Sequence, residues 1–128
     1  QDFENNNVEP IICSARAGVQ LAAEKDMSVV YFQGHPEYDD ISLLKEYKRE
    51  VRRYLAGERV DYPPVPENYF NAETMLSADE YKNTIVALPR TDQLLEQFPE
   101  LVLQQGIVNN WQATAKQVFS NWLNLLIE

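Results

Sequence analysis

The spacing of apolar side chains divides the sequence into a β-like beginning and a helical remainder. Pro10–Ser14 is a short apolar run, and Gly18–Ala23 alternates around Val19 and Leu21. Met27–Gln33 is the strongest of these segments, because Val29, Val30, Tyr31 and Phe32 all favour a pleated surface. Arg16–Gly18 and Glu24–Asp26 read as tight turns between the runs, which predicts a small antiparallel arrangement. Gln1–Glu9, polar with Asn5, Asn6 and Asn7 in a row, reads as irregular, the kind of start that a cut or an upstream region leaves.

Beyond Asp39 the period becomes helical. Leu44, Tyr47, Val51 and Leu55 recur on one face, Asp39 or Asp40 stands where an N-cap is needed, and Gly57 stands where the helix should stop. The opposite face, Lys45 to Arg53, is charged and belongs in water or against something charged. Asp61–Asn68 is too rich in proline for regular structure and is expected to run extended over the surface. Ser77–Asn83, Thr91–Phe98 and Glu100–Gln105 read as short helices broken by Pro89, Pro99 and Gly106. A longer amphipathic helix follows Asn109–Asn110, with Trp111, Ala115, Val118, Trp122 and Leu126 as its core stripe.

Composition narrows the possibilities. With 128 residues, 45% of them hydrophobic, the chain can bury the core of one domain or the larger part of one. A net charge of −9 repels nucleic-acid backbones and anionic membranes, so neither is an expected partner. No apolar run approaches the roughly 20 residues that span a bilayer. The single cysteine, Cys13, excludes an internal disulfide and fits a reducing, cytoplasmic compartment. No bound cofactor and no metal site is indicated.

The segment with the most chemistry is Gly34-His35-Pro36-Glu37-Tyr38-Asp39, directly after the best strand. His35 is the chain's single histidine and sits where a strand gives way to a turn, a place where α/β enzymes present catalytic groups. A glutamate two residues later can fold back onto one ring nitrogen, fix the tautomer and leave the other nitrogen to take a proton. Pro36 stiffens the turn, and Gly34 is expected to permit a backbone shape that other residues resist. The plainer alternative is a histidine satisfied by structural hydrogen bonds after a strand.

This hexapeptide after V-V-Y-F, followed by a helix with Glu46 and Arg49, resembles the homoserine O-acyltransferases, built on a fold similar to class I glutamine amidotransferases. Asn68-Tyr69-Phe70 and Phe119-Ser120-Asn121-Trp122-Leu123-Asn124 resemble that family's N-Y-F and F-x-N-W-L-N segments. The resemblance implies an α/β fold: the C-terminal part of an amidotransferase-like, flavodoxin-like domain, with residues 71–110 as a late helical insertion. It implies acyl transfer from succinyl-CoA or acetyl-CoA to the hydroxyl of L-homoserine, in cytoplasmic methionine biosynthesis, by a homodimer. His35 would be the general base of a Cys-His-Glu triad and Glu37 its orienting carboxylate. Arg49 would take the amino acid's carboxylate and Glu46 its ammonium. Without the resemblance, Glu46 and Arg49 are an exposed ion pair worth little to stability.

The nucleophile is the missing member. Ile11-Ile12-Cys13-Ser14-Ala15 has no glycine to build a sharp strand-to-helix elbow, so Cys13 is expected to lie buried in a strand as a small hydrophobe. The reactive cysteine and the acyl-CoA site are then expected in an N-terminal part of the same protein, and this chain alone is expected to be inert. Arg52 and Arg53 offer at most weak steering of an acidic CoA. Two rival readings stay open: a glutamine amidotransferase, in which the same triad releases ammonia from glutamine, and a non-catalytic interaction domain of the same fold.

Overall fold

The computed structural model describes residues 7–127, which form an α/β arrangement of a three-stranded sheet, four α-helices and one 3-10 helix. The strands are β1 (Val8–Ser14), β2 (Gly18–Glu24) and β3 (Val30–Phe32), antiparallel and in the order β1-β2-β3. The expected turns are present and have local causes. Gly18 takes φ 73°, and the Ala17 amide donates to Ser14 Oγ at 2.9 Å. At the second turn Met27 takes φ 59°, while Asp26 Oδ1 accepts from the Ser28 amide and hydroxyl. Two details differ from expectation: β3 keeps only Val30–Phe32 of the run Met27–Gln33, and β1 starts early. Regular structure begins at Val8 rather than after Glu9, with Pro10 tolerated because β1 is an edge strand. Residues 1–6, the rest of the segment read as irregular, lie outside the described residues.

The chain divides into two compact units, residues 1–37 with 110–128, and residues 38–109. In the first, the sheet is joined by α4 (Gln112–Ile127). Phe119 stacks on Phe32 with ring centroids 5.2 Å apart, and Trp122 Nε1 donates to the Met27 carbonyl at 2.8 Å. The stripe of α4 runs through Ala115, which is buried, and then Val118 and Trp122; Leu126, expected to end it, is 49% exposed, and Leu125 beside it is 53% exposed while lining an apolar cleft with Val118 and Trp122.

In the second unit, α1 (Ser42–Leu55) buries Leu44, Tyr47, Val51, Tyr54 and Leu55. Its end is a Schellman motif: Gly57 takes φ 76°, its amide donates to the Tyr54 carbonyl at 3.1 Å, and the Glu58 amide donates to Arg53 at 2.9 Å. Tyr69 secures the other end. Its side chain is buried, its hydroxyl accepts from the Leu44 amide at 3.1 Å and donates to the Asp40 carbonyl. Asp39 takes the neighbouring amide of Ile41 and the Ser42 hydroxyl. The Asp61–Asn68 segment lacks regular structure as expected but is not merely a surface strap. Pro63 is buried, and Tyr62 packs edge-on against Tyr47 and Tyr54, because its ring has an apolar face of α1 to cover.

α2 (Ala72–Val86) is twice as long as the segment expected at Ser77–Asn83. Asn71 caps it by accepting from the Thr74 amide at 2.8 Å. The 3-10 helix Asp92–Gln97 and α3 (Glu100–Gln105) fall between the breaks expected at Pro89, Pro99 and Gly106. An isolated antiparallel bridge between Phe70 and Ile107 ties the two ends of this segment together.

Candidate functional site

Two small clusters of charged side chains are built by these elements, one in each unit. In the first, β3 ends at Phe32 and the ladder makes one more bond, from the Gln33 amide to the Gln20 carbonyl at 3.0 Å. The chain then turns through Gly34 and Pro36, which sets His35 Nδ1 2.8 Å from Glu37 Oε1. Gly34 does not carry this turn as expected: its φ is not positive and a Cβ there would meet no atom within 4 Å. The local sequence i to i+2 suffices, with Pro36 fixing the intervening φ.

Both side chains are 61% exposed. The hydrogen bond from His35 is the largest cause holding the Glu37 carboxyl below its ordinary value. Glu37 is therefore an anion at neutral pH and can only accept, so the proton of a neutral His35 ring lies on Nδ1 and Nε2 is the basic nitrogen. An open cleft of about 280 Å³ adjoins the ring, with Ile12, Leu21, Phe32, Trp111 and Val118 on its apolar walls. An imidazole base oriented by a carboxylate beside an apolar cleft can remove and return a proton during nucleophilic or acyl-transfer chemistry. Trp111, read from sequence as core, is half-buried and lines this cleft.

The second cluster lies on α1. Arg49 Nη2 is 3.8 Å from Glu46 Oε1, with the arginine 64% exposed and the glutamate 38%. Such an exposed, loosely drawn pair contributes on the order of 0–1 kcal/mol, so a ligand carrying both charges can displace it at small cost. Two neighbours hold the pair in place. Tyr38 donates its hydroxyl to Glu46 Oε1 at 2.8 Å, and Glu50 Oε1 accepts from Arg49 Nε at 3.5 Å. Glu50 also binds Arg53 and Arg59 Nη1, the latter at 2.9 Å. Partial burial pushes the Glu50 carboxyl up, but hydrogen bonds and charge from Arg53, with Arg49 and Arg59, outweigh it and leave the group below its ordinary value. A cleft of about 290 Å³ lies against Glu46, Arg49, Glu50 and Arg59, walled by Pro63 and Pro66.

The residues read from sequence thus fall into two pairs, His35 with Glu37 and Glu46 with Arg49, each brought together by short local spacing. Cys13 departs from expectation. It lies in β1 opposite Val19 but is exposed rather than buried, because β1 presents a face that no described residue of this unit covers. It is still in mid-strand and not on an elbow. Tyr38 is the residue that sequence reading passed over. Its signal was its place within the hexapeptide, where only the histidine and glutamate were given roles. Arg52 and Arg53 are solvent-facing, and Arg53 is engaged by Glu50 and Glu58. No helix among the described residues is long and apolar enough to cross a membrane.

Comparison with known proteins agrees with these features. The family model described as homoserine O-succinyltransferase (HTS) matches residues 1–128. A homoserine O-succinyltransferase of Methylobacter tundripaludum is 47% identical over 128 residues, which cover 99% of this chain and 36% of the relative. One of Methylococcus capsulatus is 43% identical over 129 residues, covering 100% of this chain and 36% of the relative. One of Allochromatium vinosum is 41% identical over 127 residues, covering 98% and 36%. The chain spans about a third of the length of these curated relatives, and the matched stretches run through residues 71–110. With the residues of both pairs inside the matched length, the chain belongs to the homoserine O-succinyltransferase family.

Proposed function

We propose that the intact protein transfers a succinyl group from succinyl-CoA to the hydroxyl of L-homoserine, and that this chain supplies the proton-transfer and amino-acid-binding parts of the site. The observation that carries the reading is the 2.8 Å contact of His35 Nδ1 with Glu37, in a member of a family whose relatives bear that activity in their name. The nucleophile is a cysteine thiol from another part of the protein. His35 Nε2 takes the thiol proton as sulfur attacks the thioester carbonyl, the C–S bond to CoA breaks, and the proton leaves with the CoA sulfur. Homoserine's hydroxyl then gives its proton to the same nitrogen while its oxygen attacks the acyl-enzyme, and the cysteine sulfur departs and takes that proton from Nε2, which restores the thiol and the neutral base. Glu37 remains an anion throughout, holding the ring and offsetting the charge of the imidazolium.

Arg49 and Glu46 bind the carboxylate and the ammonium of homoserine. Their spacing of three residues on α1 matches a small zwitterion, and their mutual contact is weak enough to be exchanged for one. The same reading takes the fold as part of an amidotransferase-like domain, and the intact enzyme as a cytoplasmic homodimer acting in methionine biosynthesis.

The test is CoA release by the intact protein given succinyl-CoA or acetyl-CoA, with and without L-homoserine, beside a His35→Ala variant. The expected result is release that needs homoserine, prefers succinyl-CoA and disappears in the variant. A folded protein that releases no CoA with either donor sinks the proposal; glutamine-dependent ammonia release in its place would establish an amidotransferase.

A further inference from the structure

Acyl transfer as derived above uses the histidine and glutamate of the hexapeptide and leaves Tyr38 without a part. Its placement is nevertheless specific. The hydroxyl is half-buried and donates to Glu46 Oε1 at 2.8 Å, across eight residues of sequence and onto the second turn of α1. A charged neighbour of Glu46, Arg49 Nη2, also faces Oε1, at the longer distance of 3.8 Å. Among the described residues both contacts fall on one oxygen, so Oε2 is the atom that an incoming cation would meet. A glutamate on a helix surface otherwise samples several rotamers, and ordering it when a ligand arrives opposes binding. A hydrogen bond from a neutral hydroxyl to a carboxylate is strong for its kind and fixes direction as well as distance.

We propose that Tyr38 is a positioning residue for the acyl acceptor: by pinning Glu46 it presets the carboxylate that receives the acceptor's ammonium, and so favours amino-acid alcohols over hydroxyl compounds without an amine. The proposal rests on the assignment of Glu46 and Arg49 to the acceptor. A phenol suits the task better than a second cation, because it orients the carboxylate without cancelling the charge the ammonium needs. A purely structural role would act differently, since loss of a fold contact weakens both half-reactions alike.

The experiment compares Tyr38→Phe with wild type in the intact protein, measuring kcat/KM separately for homoserine and for succinyl-CoA. In a two-step transfer these report the second and first half-reactions. The expected result is a fall of about three- to tenfold for homoserine, the effect of unfreezing one side chain, with the succinyl-CoA value held within about twofold. In a Glu46→Gln background the further change of Tyr38 to Phe should alter the homoserine value little, because the carboxylate it served is gone. An unchanged homoserine value, or equal falls for both substrates, overturns the positioning role. Wild-type protein that shows no homoserine-dependent CoA release overturns instead the acyl-transfer reading beneath it.

Discussion

Gly106 offers the sharpest test of the packing, because backbone and space make opposite demands there. Its φ of −97° and ψ of 10° are open to any residue, so glycine is not needed for conformation. Alanine at such a position normally stabilises by about 0.4–1 kcal/mol through a less flexible unfolded chain. A Cβ at 106, however, would lie 1.7 Å from Thr74 Oγ1, 2.3 Å from its Cβ and 2.7 Å from its Cγ2. Rotation about χ1 moves the oxygen and the methyl group but not the Thr74 Cβ. Carbon atoms need about 3.5 Å, so the backbones must part by about 1 Å. The segment is poorly able to yield. Asn71 donates its amide to the Gly106 carbonyl at 2.8 Å and Val108 donates to Tyr69 at 2.8 Å, while Thr74 is 5% exposed. Overpacking of this kind costs about 3 kcal/mol, which after the alanine gain leaves Gly106→Ala about 2–3 kcal/mol less stable. At about 2–4 °C per kcal/mol the melting temperature of the intact protein should fall by roughly 5–10 °C in calorimetry or circular dichroism. Adding Thr74→Gly removes all three clashing atoms and should raise the melting temperature above that of Gly106→Ala alone. A single variant that melts at or above wild type refutes the reasoning.

Two further outcomes follow from the charged groups. Glu37→Gln replaces an acceptor by an amide that can donate to Nδ1 and hold the wrong tautomer, so homoserine-dependent CoA release should drop by about 10²-fold or more; a loss under about tenfold argues that Glu37 does not orient the base. Stability should decline on the acid side. The hydrogen bond from His35 lowers Glu37, and the hydrogen bond from Ser42 lowers Asp39. A carboxyl lowered in the folded state stabilises above its unfolded value of about 4, and that contribution disappears as pH falls through the lower folded value. Ser42→Ala takes away the main donor to Asp39 and should flatten the fall of melting temperature below about pH 4; an unchanged slope contradicts the assignment.

What could be read in the sequence is what depends on short spacing. Leu44, Tyr47 and Val51 mark the buried face of α1 through their helical period, and His35 with Glu37 meet because i and i+2 across a proline are near in any turn. Pro99 and Gly106 bracket α3 for equally local reasons. What was missed depends mostly on distant partners, with one local exception: Asn71, given no role of its own in the insertion 71–110, accepts from the Thr74 amide three residues on and starts α2 five residues before Ser77. Tyr62 stood in a proline-rich stretch with every sign of a surface strap, yet an aromatic ring with Tyr47 and Tyr54 in reach is drawn to them. Cys13 erred the other way: an apolar strand motif predicts burial only where something covers that face.

The segments that most resemble the family outside the hexapeptide turn out to hold the frame. Tyr69 occupies an amide at the start of α1 and the carbonyl of Asp40, while Asn109 hydrogen-bonds the Asp40 side chain. The Schellman turn at Gly57 fixes the other end of the same helix. Trp122 does comparable work for the sheet by reaching the Met27 carbonyl, at a turn whose positive φ costs a β-unbranched residue about 1 kcal/mol. An exposed ion pair such as Glu46–Arg49 has little energy of its own with which to choose a geometry. The direction in which its two charges point must therefore come from the helix that carries them and from the hydroxyl of Tyr38. If the pair is the acceptor fork proposed above, it tolerates little angular error, and the rigidity of α1 would then serve binding more than the stability of the pair.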